Sequence, residues 1–228
     1  MWYGFAFFVF GVILTARALR LGGWWLLLLW PAASFFVVAA AYVLARPGIL
    51  GKRADGRLSL PAVAALAPFT GFAWCIARLQ HVLRRGPVSH EVMPGVWVGR
   101  RARASELPPD ISAVVDLTAE FWEPAAVRDG RKYLCVPTLD ARAPDERLFL
   151  QALDYVAAAD GPVYIHCAQG FGRSAALAAA LLVRRGLARD ANEAEAMLKA
   201  ARPGVRLTAC QREVVRRVTA NRSQQPTQ

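Results

Sequence analysis

The chain has 228 residues, 55% of them apolar, and carries a formal net charge of +11. An apolar share above the roughly 45–50% of an ordinary soluble domain argues against a wholly soluble protein. No helix-turn-helix, zinc-knuckle or stacking-aromatic pattern turns the positive charge into a nucleic-acid signal, and four cysteines with no Cys-x-x-Cys pair give neither a zinc ribbon nor a disulfide framework.

The apolar excess is concentrated before Arg78, so the sequence divides into a lipid-soluble front, residues 1–80, and a soluble back from Gly86 to about residue 220. Three charge-free stretches open the chain: Trp2 to Ala16, Trp24 to Ala45 and Leu58 to Ala77. The second is long enough to cross a hydrocarbon core of about 30 Å as a helix at about 1.5 Å per residue. Trp24, Trp25, Trp30 and Tyr42 stand near its ends, where amphipathic rings favour the membrane interface. The third carries Pro61, Pro68 and Gly71, and two arrangements follow. If it spans, the basic loop Arg46, Lys52, Arg53 and Arg57 lies on the side away from the back domain, while Arg17, Arg20, Arg78, Arg84 and Arg85 share the domain's side. If it lies in the interface, the basic loop joins that side. Both arrangements allow an integral, multi-pass protein with a cytoplasmic carboxy-terminal domain.

From Gly86 the pattern becomes one of short strands alternating with helices. Val92 to Val98, Ala113 to Leu117, Tyr133 to Val136 and Pro162 to Ile165 are predicted strands. Glu146 to Ala158 has helical spacing at Phe149, Leu153 and Val156. Ser174 to Arg185 is rich in alanine and leucine and stops at Gly186, while Ala191 to Ala201 follows Asp190 and ends before Pro203-Gly204. Thr208 to Val218 closes the domain, and residues 221–228 read as a disordered polar tail. The fold class is α/β, with a mainly parallel sheet flanked by helices.

The chemistry is concentrated in one run, His166-Cys167-Ala168-Gln169-Gly170-Phe171-Gly172-Arg173-Ser174. A strand delivers a cysteine, two glycines loosen the turn, and an arginine opens a helix. Successive backbone N–H groups in such a loop cradle an anion, and the helix adds its positive dipole end. Gly170 and Gly172 supply backbone freedom. Arg173 offers a planar fork for two phosphate oxygens. The same field favours thiolate over thiol, which makes Cys167 a nucleophile facing a bound phosphoryl group.

This frame resembles the signature of the protein tyrosine phosphatase superfamily, most closely its dual-specificity branch. The resemblance extends to Met93-Pro-Gly-Val-Trp-Val-Gly99, Val114 to Glu120, Pro137-Thr-Leu-Asp140, Arg202-Pro-Gly and Gln211, covering about residues 88 to 218. It implies a cysteinyl-phosphate on Cys167, with Arg173 holding the equatorial oxygens and the backbone of residues 168–172 (Ala168, Gln169, Gly170, Phe171, Gly172) lining the phosphate site. Asp140 is the implied general acid, Ser174 the hydrogen-bond donor to the departing sulfur, and His166 an aid to loop position. Neither a cofactor nor a metal is implied, and none of the three histidines is expected to have a ligand-like neighbour cluster.

Other readings stand beside these. Asp145 is the rival acid, although its place before Glu146 and Arg147 suits a helix N-cap. Ser174 also suits an N-cap, and His166 a packing role. Gln211 orients water in some relatives, but Thr208-x-x-Gln211 is also a capping box. Asp116 and Glu120 read as structural, and Cys135 and Cys210 as packing residues more than redox partners of Cys167. The expected activity is phosphomonoester hydrolysis on phosphotyrosine, phosphoserine or phosphothreonine in proteins. The alternative is a phospholipid phosphatase, favoured by the apolar front but not by the lysine-free positions Ala168, Gln169 and Phe171. A phosphate-binding pseudophosphatase adaptor and a rhodanese-like sulfurtransferase fit less well. Oligomeric state is not legible.

Overall fold

The computed structural model describes residues 2–83 and 86–220; the tail expected at 221–228, with Arg84 and Arg85, lies outside them. The chain forms two compact units.

The first unit contains three helices: α1 (Trp2–Leu21), α2 (Leu29–Val43, preceded by a 3-10 turn at Gly23–Leu28) and α3 (Leu60–Leu83). Three segments, α1, Gly23–Val43 (the 3-10 turn together with α2) and α3, are long and apolar enough to cross a membrane by length and composition. The first runs past the charge-free stretch and includes Arg17 and Arg20, whose long side chains let a helix continue beyond its apolar part. Gly4 and Gly11 let α1 approach α2 closely: a Cβ on Gly11 would lie 2.7 Å from the Phe36 ring. Phe7 packs against Phe35, Tyr42 and Phe69. Tyr42, expected as an interface anchor, is thus buried among aromatic rings.

Pro68 lies inside α3 and cannot donate to the carbonyl four residues back. The Trp30 indole N–H donates to that carbonyl, on Ala64, at 3.2 Å. Ser34 Oγ accepts from the neighbouring Phe69 N–H at 3.3 Å. Two side chains of α2 therefore serve backbone groups around the proline, and α3 continues as one helix through the stretch whose prolines also suggested an interfacial segment.

The second unit is built on a five-stranded sheet in the order β1-β2-β5-β3-β4. Its strands are β1 (Ser89–Met93), β2 (Val96–Arg100), β3 (Ala113–Asp116), β4 (Lys132–Cys135) and β5 (Val163–Cys167). The last four are mutually parallel, and β1 runs antiparallel to β2. The single strand expected over Val92 to Val98 is instead the two arms of a hairpin. Pro94-Gly95 makes the turn, with Gly95 at φ +74° and its N–H donating to Glu91 Oε1.

The helices are α4 (Ala125–Arg128), α5 (Glu146–Ala157), α6 (Arg173–Arg184), α7 (Ala191–Ala201) and α8 (Ala209–Ala220). Every residue of α6 from Arg173 to Leu182 is buried. Its alanines allow close approach, while Leu177, Leu181 and Leu182 join Phe149, Leu153, Val163 and Ile165 in the main core. Gly186 at φ +69° ends the helix: its N–H reaches the Val183 carbonyl, and the Leu187 N–H reaches Leu182.

Strand periodicity sorts β5 into two faces. Val163, Ile165 and Cys167 belong to the helix-covered core. Tyr164 packs on the other face with Val114 and Val127, and its ring stacks on His166. Because β2, β5 and β3 are parallel, Arg100, Cys167 and Asp116 end together at one edge, which is where the site is built.

Candidate active site

After Cys167 the chain turns through residues 168–172 into α6. The loop's shape follows from where its carbonyls go. Those of Ala168, Gln169, Gly170 and Phe171 are taken by donors outside the loop: Arg101 N–H at 3.4 Å, Arg202 Nη2 at 3.2 Å, Arg202 Nε at 3.0 Å and Arg206 N–H at 2.9 Å. In a trans peptide the C=O and the next N–H point opposite ways. Four carbonyls drawn outward therefore turn the N–H groups of residues 169–172 toward the interior of the loop. The Gly170 N–H indeed points at the Cys167 sulfur, 3.2 Å away. Main-chain N–H groups turned inward in this way can cradle an anion.

The two glycines have different reasons. Gly170 sits at φ +76°, and a Cβ there would lie 2.4 Å from the Gly99 backbone. Gly172 has φ −122°, so its need is space: a Cβ would meet the Gln211 side-chain amide at 3.2 Å.

The cysteine is buried and faces two donors. Its Sγ lies 3.5 Å from Ser174 Oγ. Ser174 is the second residue of α6, and the cap position belongs to Gly172, so the N-cap reading of Ser174 does not hold. Helix start and loop end overlap because Arg173 already has helical geometry. The Arg173 side chain is 1% exposed. One guanidinium nitrogen donates to the carbonyls of Thr138 (2.8 Å) and Leu117 (3.4 Å), and the other lies 3.2 Å from Asp140 Oδ1. The segments after β3 and β4 thus orient the fork, and Asp140 stands beside it. Asp145 instead caps α5, accepting from the Leu148 N–H at 3.1 Å. Thr208 and Gln211 form the reciprocal capping box: Gln211 Oε1 accepts from the Thr208 N–H and Thr208 Oγ1 from the Gln211 N–H.

His166 is fully buried, and neither ring nitrogen has a hydrogen-bond partner among the described residues. The Glu123 carboxylate lies 3.9 Å from its Nε2. Contrary to the sequence reading, His166 does have ligand-like neighbours, since one donor atom each from His166, Asp116 and Glu123 lie within 4.8 Å of one another. The carboxylates are already engaged. Asp116 accepts from Thr118 and from the Tyr133 hydroxyl, and Glu123 from Arg101 Nε at 3.2 Å. Burial, and then the adjacent Asp116, push the Tyr133 phenol far up, which keeps its proton on that bond. The cluster therefore reads as a buried polar network behind the loop.

Sequence reasoning missed Glu123 and Arg101, and it placed Arg202 only in a closing segment. Arg202 in fact clamps two loop carbonyls, lies 4.8 Å over the Phe171 ring and meets His90 Nδ1 at 2.9 Å. The arginine before Pro203-Gly204 was a visible signal, but its partner loop lies 32 residues away. Cys135 is a buried strand residue, whereas Cys210 is exposed at the start of α8.

A strand ending in cysteine, a main-chain anion cradle and a buried arginine at a helix start define a cysteine-type phosphatase. A family model described as "Polymorphic toxin system, DSP-PTPase phosphatase" matches residues 105–187. Among solved structures, Tk-PTP in its active form is 28% identical with a TM-score of 0.52, covering 59% of this chain and 97% of that one. Human DUSP28 is 24% identical with a TM-score of 0.54, covering 61% and 100%. PTPMT1 in complex with PI(5)P is 18% identical with a TM-score of 0.54, covering 60% and 97%. A search of curated proteins gives no match. Residues 105–187 thus match a phosphatase family model of the dual-specificity and protein tyrosine phosphatase type, and the second unit is similar in fold to these solved phosphatases.

Proposed function

We propose that the protein is a membrane-anchored phosphomonoester hydrolase working through a cysteinyl-phosphate. The observation that carries this is the convergence on one loop. Cys167 Sγ lies 3.2 Å from a loop N–H and 3.5 Å from Ser174 Oγ, and Arg173 lies beside Asp140 at the same edge. Cys167 Sγ attacks phosphorus as the bond to the ester oxygen breaks, and Asp140 gives that oxygen its proton. Arg173 and the N–H groups of residues 169–172 bind the equatorial oxygens as charge develops. Water then attacks phosphorus, Asp140 takes its proton, and the sulfur leaves as thiolate accepting a hydrogen bond from Ser174. His166 packs under the loop.

The preferred substrates are phosphotyrosine, phosphoserine and phosphothreonine in proteins. A second reading, a lipid phosphate, is favoured by the three long apolar helices, which would keep the domain beside such a substrate. The helices serve as an integral multi-pass anchor, with the domain on the cytoplasmic side.

Cys167→Ser should abolish turnover of an aryl phosphate while phosphate or vanadate still binds. Arg173→Lys should be severely impaired, because a point charge cannot replace a two-pronged fork. Iodoacetate should label Cys167, with phosphate protecting it. Substantial turnover by Cys167→Ser would overturn the mechanism. Comparing phosphopeptides with lipid phosphates in vesicles separates the two substrate classes.

A further inference from the structure

The residue after Asp140 has an unusual backbone. Ala141 sits at φ +57°, in the left-handed region where a side chain is disfavoured. Such a conformation persists when neighbours hold it, and the holders come from the first turn of α8. The exposed Cys210 thiol donates to the Ala141 carbonyl at 3.5 Å. Gln211, 1% exposed, donates from Nε2 to the Arg142 carbonyl at 3.1 Å, across 69 residues of sequence. The same Gln211 amide lies against Gly172, the last residue of the phosphate loop before α6. One buried side chain thus hydrogen-bonds the segment that carries the acid and leaves a side chain at Gly172, in the loop that carries the nucleophile, only a 3.2 Å gap to its Oε1. Its Oε1 is meanwhile held by the Thr208 N–H, so its position is set by the helix and not by solvent.

We propose that Gln211 is a positioning residue for proton transfer: by holding the Arg142 carbonyl from its place beside Gly172, it sets where Asp140 stands relative to the leaving oxygen. This goes beyond the capping box, which uses Gln211 Oε1, Thr208 Oγ1 and the N–H groups of Thr208 and Gln211 but not Nε2. It also differs from a role in orienting the attacking water, which belongs to the second half of the reaction. The inference rests on Asp140 as the acid, and the experiment is built to separate the two.

The measurement is kcat/KM, which reports only steps through release of the alcohol, across phosphate esters of graded leaving-group pKa. Gln211→Met removes the Nε2 donor at similar volume. Gln211→Glu removes the donor but keeps an oxygen for the Thr208 N–H, so it covers the case in which the first variant fails to fold. Both should lose roughly tenfold or more on unactivated alkyl or phenyl esters, and less than about threefold on activated aryl esters, which depart with little protonation. Added to Asp140→Asn, the Gln211→Met change should cost less than about twofold more on the poor esters, since both act on one proton transfer. A loss in the Gln211 variants that is equal for all esters, while Asp140→Asn alone keeps its leaving-group dependence, overturns the inference and leaves Asp140 as the acid. A flat response of Asp140→Asn itself overturns the acid assignment and this inference with it. Unchanged kcat/KM with accumulated cysteinyl-phosphate would move Gln211 to the water step and also overturn it.

Discussion

Asp140 and Asp145 lie close in sequence, yet one reaches the Arg173 guanidinium at 3.2 Å while the other holds a helix N–H at 3.1 Å. Their substitutions should therefore differ in kind. Asp140→Asn should lower kcat/KM on poor leaving groups by roughly 10²–10⁴, with a smaller effect on activated aryl phosphates. Asp145→Ala should leave the chemistry intact and cost about 1 kcal/mol of stability as a lost cap, read as a lower melting temperature. The reverse pattern would transfer the acid role. His90 offers a pH test. Burial, and then the Arg202 guanidinium, hold its pKa below the usual 6.5. The unfolded chain thus binds a proton that the folded one resists, so stability falls as pH drops through about 6.5. Melting temperature should decline between about pH 7.5 and about 5.5, and less so in His90→Gln. An identical decline in both proteins would remove His90 from the account. The rival readings of Asp140 and Asp145 were both written in the sequence. Only spatial neighbours separate them, because an aspartate can cap, turn or transfer a proton with the same local residues around it.

At the scale of elements, the phosphate loop is held by its surroundings more than by its own sequence. Arg101, Arg202 and Arg206 take its carbonyls, and Gly170 presses on Gly99 with no room for a side chain. Gly170→Ala places a Cβ 2.4 Å from backbone atoms and asks alanine for φ +76°. It should weaken phosphate binding at least tenfold and lower the melting temperature, since strain of roughly 1–3 kcal/mol accompanies such a backbone. Phosphate binding by calorimetry checks it, and unchanged affinity would show that the loop relaxes freely. Helices α5 to α8 were legible from apolar period and end signals, each end within two residues of the expected one. The β1–β2 hairpin was not, although Pro94-Gly95 is a strong turn signal, because the apolar run on either side masked it.

For the whole molecule, the three apolar helices contain none of the proposed catalytic residues. A truncated chain beginning at Gly86 should therefore be soluble, melt cooperatively and hydrolyse a small aryl phosphate at a rate within about threefold of the full chain. Tethering should matter only for a substrate that shares the membrane, through effective concentration. A folded but inactive truncated domain would show that the first 80 or so residues help to build the site. If truncation lowers turnover of lipid phosphates in vesicles but not of phosphopeptides, the lipid reading moves ahead.

What the sequence determined by itself is whatever a short window can encode. The run from His166 to Ser174 carries its own chemistry, because cysteine, glycines and arginine act within one turn of chain. Helix periods and stop signals are likewise local, as is the apolar length needed to cross a bilayer. The tertiary structure decided which distant groups those residues meet. Sheet order sets β5 between β2 and β3, so Asp116 and His166 share a face and Arg101 reaches Glu123. The packing of α8 brings Gln211 to Arg142 across 69 residues, and the closing segment brings Arg202 to Gly170 across 32. Hydrogen bonds of that reach depend on the relative placement of packed elements, and no local propensity specifies it.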